Sequence, residues 1–172
     1  MVMSAQEKSS EQDLIRKAKK GDVKAFSELY AQIYKDLYRF ALFTMKHPQD
    51  AEDVVSETVI AAYENMRKLK KEEAFRGWIF TILANQCKKH LRSRKETEEL
   101  TENIASEEMD HAGCHDVREA FMSLDEEDRM IVACSVLEGY SSEEIGDLME
   151  MNPATVRSRK SRALGKMRKV LA

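Results

Sequence analysis

Tyr140–Met167 reads YSSEEIGDLMEMNPATVRSRKSRALGKM, and the punctuation of this stretch decides the fold. Ser141 with Glu144 three residues on is a capping box, two reciprocal hydrogen bonds that satisfy amides left orphaned at a helix start. Ile145, Leu148 and Met149 then share one face of a short helix. Asn152 followed by Pro153 is a second start, with a capping side chain and a ring whose missing N–H costs nothing in a first turn. The helix that follows carries an apolar stripe of Val156, Ala163, Leu164, Met167, Val170 and Leu171. Ala154, Arg157, Ser158, Ser161, Arg162 and Gly165 lie opposite that stripe. Two short helices and a tight turn make a helix-turn-helix whose second helix is small and cationic on its outer side. Such a face suits a DNA major groove, because short side chains let the helix approach while arginines reach guanine edges and phosphates. A basic helix alone is usually a solvated face, but here caps, turn spacing and face chemistry agree.

Upstream of this motif, Val117, Ala120, Phe121 and Leu124 mark a helix that leads to Asp125. Asp125 is an N-cap, its followers Glu126, Glu127 and Asp128 suit the positive end of the next helix, and Gly139 ends that helix. At the other end of the chain, MVMSAQEKSS reads as a frayed polar start. Leu14, Ile15 and Ala18 then belong to a short helix, Gly21-Asp22 is a stop and restart, and Phe26, Leu29, Tyr30, Ile33, Leu37 and Phe40 follow at helical spacing until His47-Pro48. A third helix runs from Asp50 to about Lys68, with Ala51, Val54, Val55, Thr58, Val59, Ala62 and Met66 inward and Asp53, Glu57 and Glu64 outward. Charged residues 68–73, interrupted only by Leu69, read as a loop before a fourth helix, Phe75–Lys95.

Glycine (6) and proline (2) are scarce and no β-prone alternation occurs, so the class is all-α. The expected architecture is two helical lobes, residues 11–96 and 117–172, each with its own core, joined by a flexible acidic linker over 97–116. Charge is unevenly placed: residues 97–128 hold one basic and 12 acidic side chains, while the blocks before and after are net positive. The acidic strap is expected to lie against the basic faces and weaken DNA binding until the lobes are parted. Three cysteines make no even disulfide framework. With no apolar run near the roughly 20 residues of a membrane span and no signal-peptide pattern, the expected compartment is a reducing cytoplasm. No nucleophile–base pair, glycine-rich phosphate loop or clustered carboxylate site stands in a suitable context, so neither an enzyme nor a small-molecule substrate is expected. His111, Cys114 and His115 are close together but match no familiar zinc spacing, so no metal or cofactor is expected.

On the fourth helix, Phe75, Ile79, Leu83 and Cys87 form the core stripe, and Trp78, Asn85, Lys88, Lys89 and Arg92 project elsewhere. An indole beside cations and an amide is a platform for an unstacked base, worth about 1–3 kcal/mol of stacking. The same indole is equally readable as the filling of a small helical core. Periodicity leaves both readings open.

Four stretches in this order carry a family resemblance: Ala18–Tyr30 (AKKGDVKAFSELY), Asp50–Thr58 (DAEDVVSET), Phe75–Leu91 (FRGWIFTILANQCKKHL) and Gly139–Arg162 (GYSSEEIGDLMEMNPATVRSRKSR). Together they resemble a bacterial sigma factor of the extracytoplasmic-function group, over nearly all of residues 11–171. The resemblance implies a factor that binds core RNA polymerase, through the β′ coiled coil and the β subunit, and directs it to promoters. It implies polymerase contacts at Asp50, Asp53, Ser56 and Glu57. Promoter −10 recognition and melting fall to Lys70, Lys71, Phe75, Trp78, Asn85, Lys88, Lys89 and Arg92, with a flipped base captured near the Leu69–Ala74 loop. Duplex recognition at −35 falls to Thr155, Arg157, Ser158, Arg159, Ser161 and Arg162. An anti-sigma factor, often membrane-bound, is implied as a further partner.

Some positions depart from the family pattern. Glu150 stands where glycine is usual and Gly146 where alanine is usual, which predicts looser packing in the second lobe. Lys160 replaces a leucine on the apolar stripe, Ser56 a glutamine, and Asp125 a proline. An autonomous helix-turn-helix regulator leaves the Asp50–Lys95 constellation unexplained. A sigma-like interaction module without promoter activity leaves Arg157, Ser158, Arg162, Trp78 and Asn85 unexplained.

Overall fold

In a computed structural model, residues 5–98 and 114–172 are described, with side chains from 6 to 94 and from 116 to 172. Most of the linker therefore lies outside the described residues, as do His111 and the side chains of Cys114 and His115. The first lobe consists of α1 (Ala5–Lys19), α2 (Val23–Met45), α3 (Pro48–Asn65) and α4 (Phe75–Glu98), with 3₁₀ turns at Met66–Lys68 and Glu72–Ala74 between the last two. In the second lobe are α5 (Cys114–Met122), α6 (Glu126–Val132), α7 (Ser142–Met149) and α8 (Pro153–Leu171). A π-helical stretch, Ala133–Leu137, continues α6 and lies against α2.

Local chemistry sets most boundaries. Gly21 adopts φ +94°, which L side chains rarely reach, and lets the chain turn before Asp22 caps α2 through a 3.0 Å bond from the Ala25 N–H. Pro48 opens α3. Asp125 caps α6 by accepting from the Asp128 N–H at 2.8 Å. The Ser141 hydroxyl accepts from the Glu144 N–H at 3.1 Å, and the Glu144 carboxylate accepts from the Ser141 N–H at 2.7 Å, completing the capping box. Asn152 caps α8 by accepting from the Ala154 N–H at 2.8 Å. Two ends differ from the sequence reading. Residues 5–10 extend α1 as a helix rather than fraying, and Val170 and Leu171 at the end of the α8 stripe are exposed.

The lobes are not independent bodies with separate cores. Their buried residues form one contiguous hydrophobic cluster, and the seam between them is specific. Phe43 of α2 meets Phe121 of α5 with ring centroids 4.8 Å apart. Arg129 of α6 is 1% exposed and donates from Nε to the Thr44 carbonyl at the end of α2 (3.3 Å) and from Nη1 to the Leu124 carbonyl (2.8 Å). A buried cation there satisfies carbonyls and meets the negative end of a helix dipole. Farther along, Arg76 joins Asp36 at 3.1 Å and Glu138 at 3.4 Å, and the Tyr140 hydroxyl donates to the Gly77 carbonyl at 3.2 Å. Cys87 and Cys134, one from each lobe, are both fully buried; burial pushes both thiols up, that of Cys134 to about 12. They are inert packing at neutral pH.

The α7–α8 turn corrects another expectation. Gly146 does not loosen the lobe: a Cβ there would stand 2.6 Å from the Met151 carbonyl oxygen and 3.4 Å from the Pro153 ring, so only glycine fits. The Met151 N–H donates back to the Gly146 carbonyl at 2.8 Å, closing α7. Between them, Glu150 takes the left-handed conformation, φ 56° and ψ 45°. For a residue other than glycine this costs on the order of 1 kcal/mol or more. Gly146→Ala is expected to destabilise the protein by about 1–3 kcal/mol through overpacking, at roughly 2–4 °C of Tm for each. A thermal melt checks this, and an unchanged Tm would show that the turn has room to spare.

Candidate nucleic-acid and polymerase interfaces

Three surfaces gather the residues singled out from the sequence. On α3, Asp53, Ser56 and Glu57 are exposed on one face, while Asp50 is turned toward α4. Its carboxylate meets Arg94 at 2.8 Å and His90 at 3.5 Å. Ile60, which the sequence reading passed over, is 59% exposed one turn beyond Ser56 and Glu57, with Glu64 a turn farther on. An apolar side chain set among acids offers a partner both burial and charge. The signal was available: Ile60 falls off the inward stripe of α3.

The second surface is the outer side of α4 and the loop before it. Leu69 is buried and anchors that loop, leaving Lys70 and Lys71 exposed between the two 3₁₀ turns. A salt bridge of 3.6 Å from Lys19 to Glu72 ties the loop to α1. Beside it opens a hollow of about 690 Å³, with Ile15, Ile33 and Phe75 as apolar wall and Gln12, Gln32 and Glu73 among its polar lining. Phe75, grouped with the DNA-contacting residues from the sequence, is 2% exposed and belongs to the core beneath the loop. Trp78 is half-buried against that core, 6.3 Å from the Phe75 ring, so it is neither a free platform nor fully interior. Asn85, Lys89 and Arg92 are exposed; Lys88 is not, because its ammonium donates to the Leu148 carbonyl of α7 at 3.1 Å.

The third surface is α8. Thr155, Arg157, Ser158, Ser161 and Arg162 are all exposed on it. Arg157 meets Glu143 at 3.2 Å across solvent, a pair weak enough to exchange for a phosphate. Arg159 differs from its neighbours. Its guanidinium turns back to α6, donating to Asp128 from Nε at 2.7 Å, to Asp125 from Nη2 at 3.1 Å and to Glu127 from Nη1. Three carboxylates on one arginine fix the rotation of α8 and thereby aim the rest of its outer face. Among the described residues, no group of three His, Cys, Asp or Glu is placed to hold a metal ion.

These paired lobes match two domain models: Sigma-70 region 2 over residues 29–97, and Sigma-70, region 4 over residues 114–167. The chain belongs to the sigma-70 family, as a sigma factor of the extracytoplasmic-function type. It is 25% identical to the ECF RNA polymerase sigma factor SigM of Mycobacterium tuberculosis, across 94% of this chain and 85% of that one. RNA polymerase sigma factor SigV of Bacillus subtilis is 29% identical across 78% of this chain and 83% of its own, and the ECF RNA polymerase sigma-E factor of Escherichia coli 28% across 91% and 92%. The same fold occurs in CnrH, solved with the cytosolic domain of CnrY (TM-score 0.64, 23% identity, 94% of this chain and 97% of that one). It also occurs in the sigma factor RpoE of Bartonella quintana, solved with the anti-sigma factor NepR (TM-score 0.69, 22% identity, 87% and 98%).

Acid should loosen the α6–α8 clasp. Burial acts to raise the Asp125 carboxyl, but the Asp128 N–H with Arg159, Lys166 and Arg129 outweighs it and holds the group below the usual carboxylate value. A carboxyl lowered on folding stabilises the fold above its unfolded pKa of about 3.9, and that contribution is lost as pH falls through the folded value. Asp125→Asn keeps an N-cap and removes the charge. Urea midpoints are expected to separate variant from parent at pH 7 and to converge as pH falls from about 4 through the lower folded value; a gap independent of pH would contradict the assignment.

Proposed function

We propose that this sigma factor docks on core RNA polymerase through α3 and holds promoter DNA at two points, melted strand on α4 and duplex on α8. The observation that carries this reading is that cationic helix faces stand on both lobes, that of α8 open and that of α4 open at Asn85, Lys89 and Arg92, with a third, acidic and partly apolar face on α3 apart from both. Asp53, Ser56, Glu57 and Ile60 form the polymerase-facing surface, with the β′ coiled coil as its partner and the β subunit as a further contact. Asp50 acts from behind, holding α3 to α4 through Arg94 and His90.

Promoter opening needs no bond-making chemistry from this chain. Opening costs a few kcal/mol per unstacked step, and a pocket with a stacking partner returns about 1–3 kcal/mol per base. The hollow between α1, α2 and the Glu72–Ala74 turn takes an extruded base, half-buried Trp78 supports a neighbour, and Asn85 hydrogen-bonds a base edge. Lys88, Lys89 and Arg92 carry the strand phosphates. At −35, Arg157 and Arg162 reach guanine edges or phosphates, and Thr155, Ser158 and Ser161 permit close approach. Arg159 serves as a positioning residue. Two weak readouts on one polymerase gain specificity through effective concentration.

The site of action is the cytoplasm, and an anti-sigma factor is the natural regulator, in line with the partner of the Bartonella quintana structure. Among the described residues, no helix is long and apolar enough to cross a membrane. An autonomous regulator would leave the α3 face without a use.

Arg162→Ala is expected to weaken −35-dependent transcription by about 1–3 kcal/mol of recognition while polymerase binding is retained. Asp53→Lys is expected to do the reverse, losing core polymerase with little change in thermal stability. Run-off transcription and a core-binding assay read both; equal effects of each variant in each assay would remove the division of surfaces.

A further inference from the structure

Exposed cations that none of the three surfaces above uses gather at one end of the first lobe. Lys17 lies in the last turn of α1, Lys20 just after it, Lys24 in the first turn of α2, and Arg67 in the 3₁₀ turn that follows α3. Far apart in sequence, they share one surface, because a Cβ placed on Gly21 would stand 3.9 Å from the Arg67 guanidinium. The 3.6 Å pair of Lys19 with Glu72 ties the same end of α1 to the second 3₁₀ turn. Lys70 and Lys71 follow along the chain, between Arg67 and the Glu72–Ala74 turn that walls the hollow.

The fold itself leaves this charge unanswered. Asp22 caps α2, Asp13 pairs with Arg16 at 3.3 Å, and Glu72 is held by Lys19, so three nearby acids are already engaged. Glu28 and Glu64 flank the patch, one turn onward in α2 and one turn back in α3. Among the described residues, Lys17, Lys20, Lys24 and Arg67 make no ion pair. Helix dipoles explain only part of the pattern. Cations suit the last turns of α1 and α3, but Lys24 stands at the positive end of α2, where a cation is disfavoured. Lysine is a point charge without a planar fork, so its natural target is a backbone phosphate rather than a base edge. Val23, 59% exposed, is the large apolar side chain among them, too little to seat a peptide helix.

We propose that Lys17, Lys20, Lys24 and Arg67 hold phosphates of the melted strand downstream of the extruded base, whatever its sequence there. The patch adjoins the loop, whereas Arg92 stands about 25 Å from Phe75 along α4, so the two sets of cations hold different nucleotides of one strand. A base in the hollow fixes a single nucleotide. Phosphates held past it keep the next ones from pairing again. The proposal rests on the reading that the hollow takes a base and α4 carries the strand that leads to it.

Holoenzyme binding to two fork-junction DNAs tests it. In one, the labelled non-template strand stops at the last base of the −10 element; in the other it continues several nucleotides downstream. Lys17→Gln/Lys20→Gln/Lys24→Gln is expected to bind the extended DNA about ten-fold more weakly than the parent, the scale of three exposed ion pairs. Its log–log salt dependence on that DNA should be shallower by about 2, three phosphate contacts on a single strand. The short DNA should be bound as the parent binds it, and Lys17→Arg/Lys20→Arg/Lys24→Arg should restore binding of the long one. Parental binding of the extended DNA by the Gln variant, or equal weakening on both DNAs, overturns the proposal. Loss of core polymerase by the Gln variant also overturns it, and assigns the patch to an acidic segment of polymerase. A Lys89→Ala/Arg92→Ala holoenzyme on the short DNA separates such a failure from failure of the underlying reading. Weak binding there, beside a Gln variant that behaves as the parent, leaves α4 with the strand and removes the patch alone; parental binding there removes both.

Discussion

A guanidinium with almost no access to water, Arg129, sits where the two lobes meet and organises the rest. Burying a charge is costly unless its hydrogen bonds are met, and here carbonyls from both lobes meet them: Thr44 at the end of α2 and Leu124 just before α6. The same cation lies at the negative end of the α2 dipole. Removing it would leave those carbonyls orphaned in a dry seam, which is why the closed arrangement is specific rather than a loose collapse. The packing of Phe43 on Phe121 and the burial of Cys87 and Cys134 follow from that closure.

The closure has a functional cost. The surfaces on α3 and α8 remain exposed in it, while the face of α4 is crossed by α7. On the reading that α4 holds melted strand, that face must be uncovered for use, whereas the closed arrangement gains one continuous core. A chain of 172 residues divides into lobes too small for generous cores of their own, so the closed arrangement buries apolar surface that neither lobe would cover alone.

Arginines illustrate how function was distributed along α8. Arg157, Arg159 and Arg162 look alike in the sequence, separated by a few residues on one basic helix. Arg159 is engaged by three carboxylates of the preceding helix, while its neighbours face solvent. A cation that fixes the helix and cations that face outward from it are chemically identical. Their division of labour depends on Asp125, Glu127 and Asp128 lying 31–34 residues upstream.

Local chemistry was legible from the residues alone. The capping box at Ser141 and Glu144, the caps at Asp22, Asp125 and Asn152, the turn at Gly21 and the order of the helices depend on neighbours within a few positions, and each followed from side-chain type and spacing. The family followed from the order of four such stretches. Other features depended on contacts between residues far apart in the chain. Periodicity names the buried face of a helix but not the helix that covers it, so the continuous core, the latch at Arg129 and the return of Arg159 to α6 were not readable. Gly146 looked like a weakness until the Met151 carbonyl was found in the space a methyl group would need. Glu150 looked like an ill-suited turn residue until Lys88 and Arg92 were found across the seam. Bonds within a turn of helix are set by the sequence at short range; which lobe a charge faces is set only when the chain closes on itself.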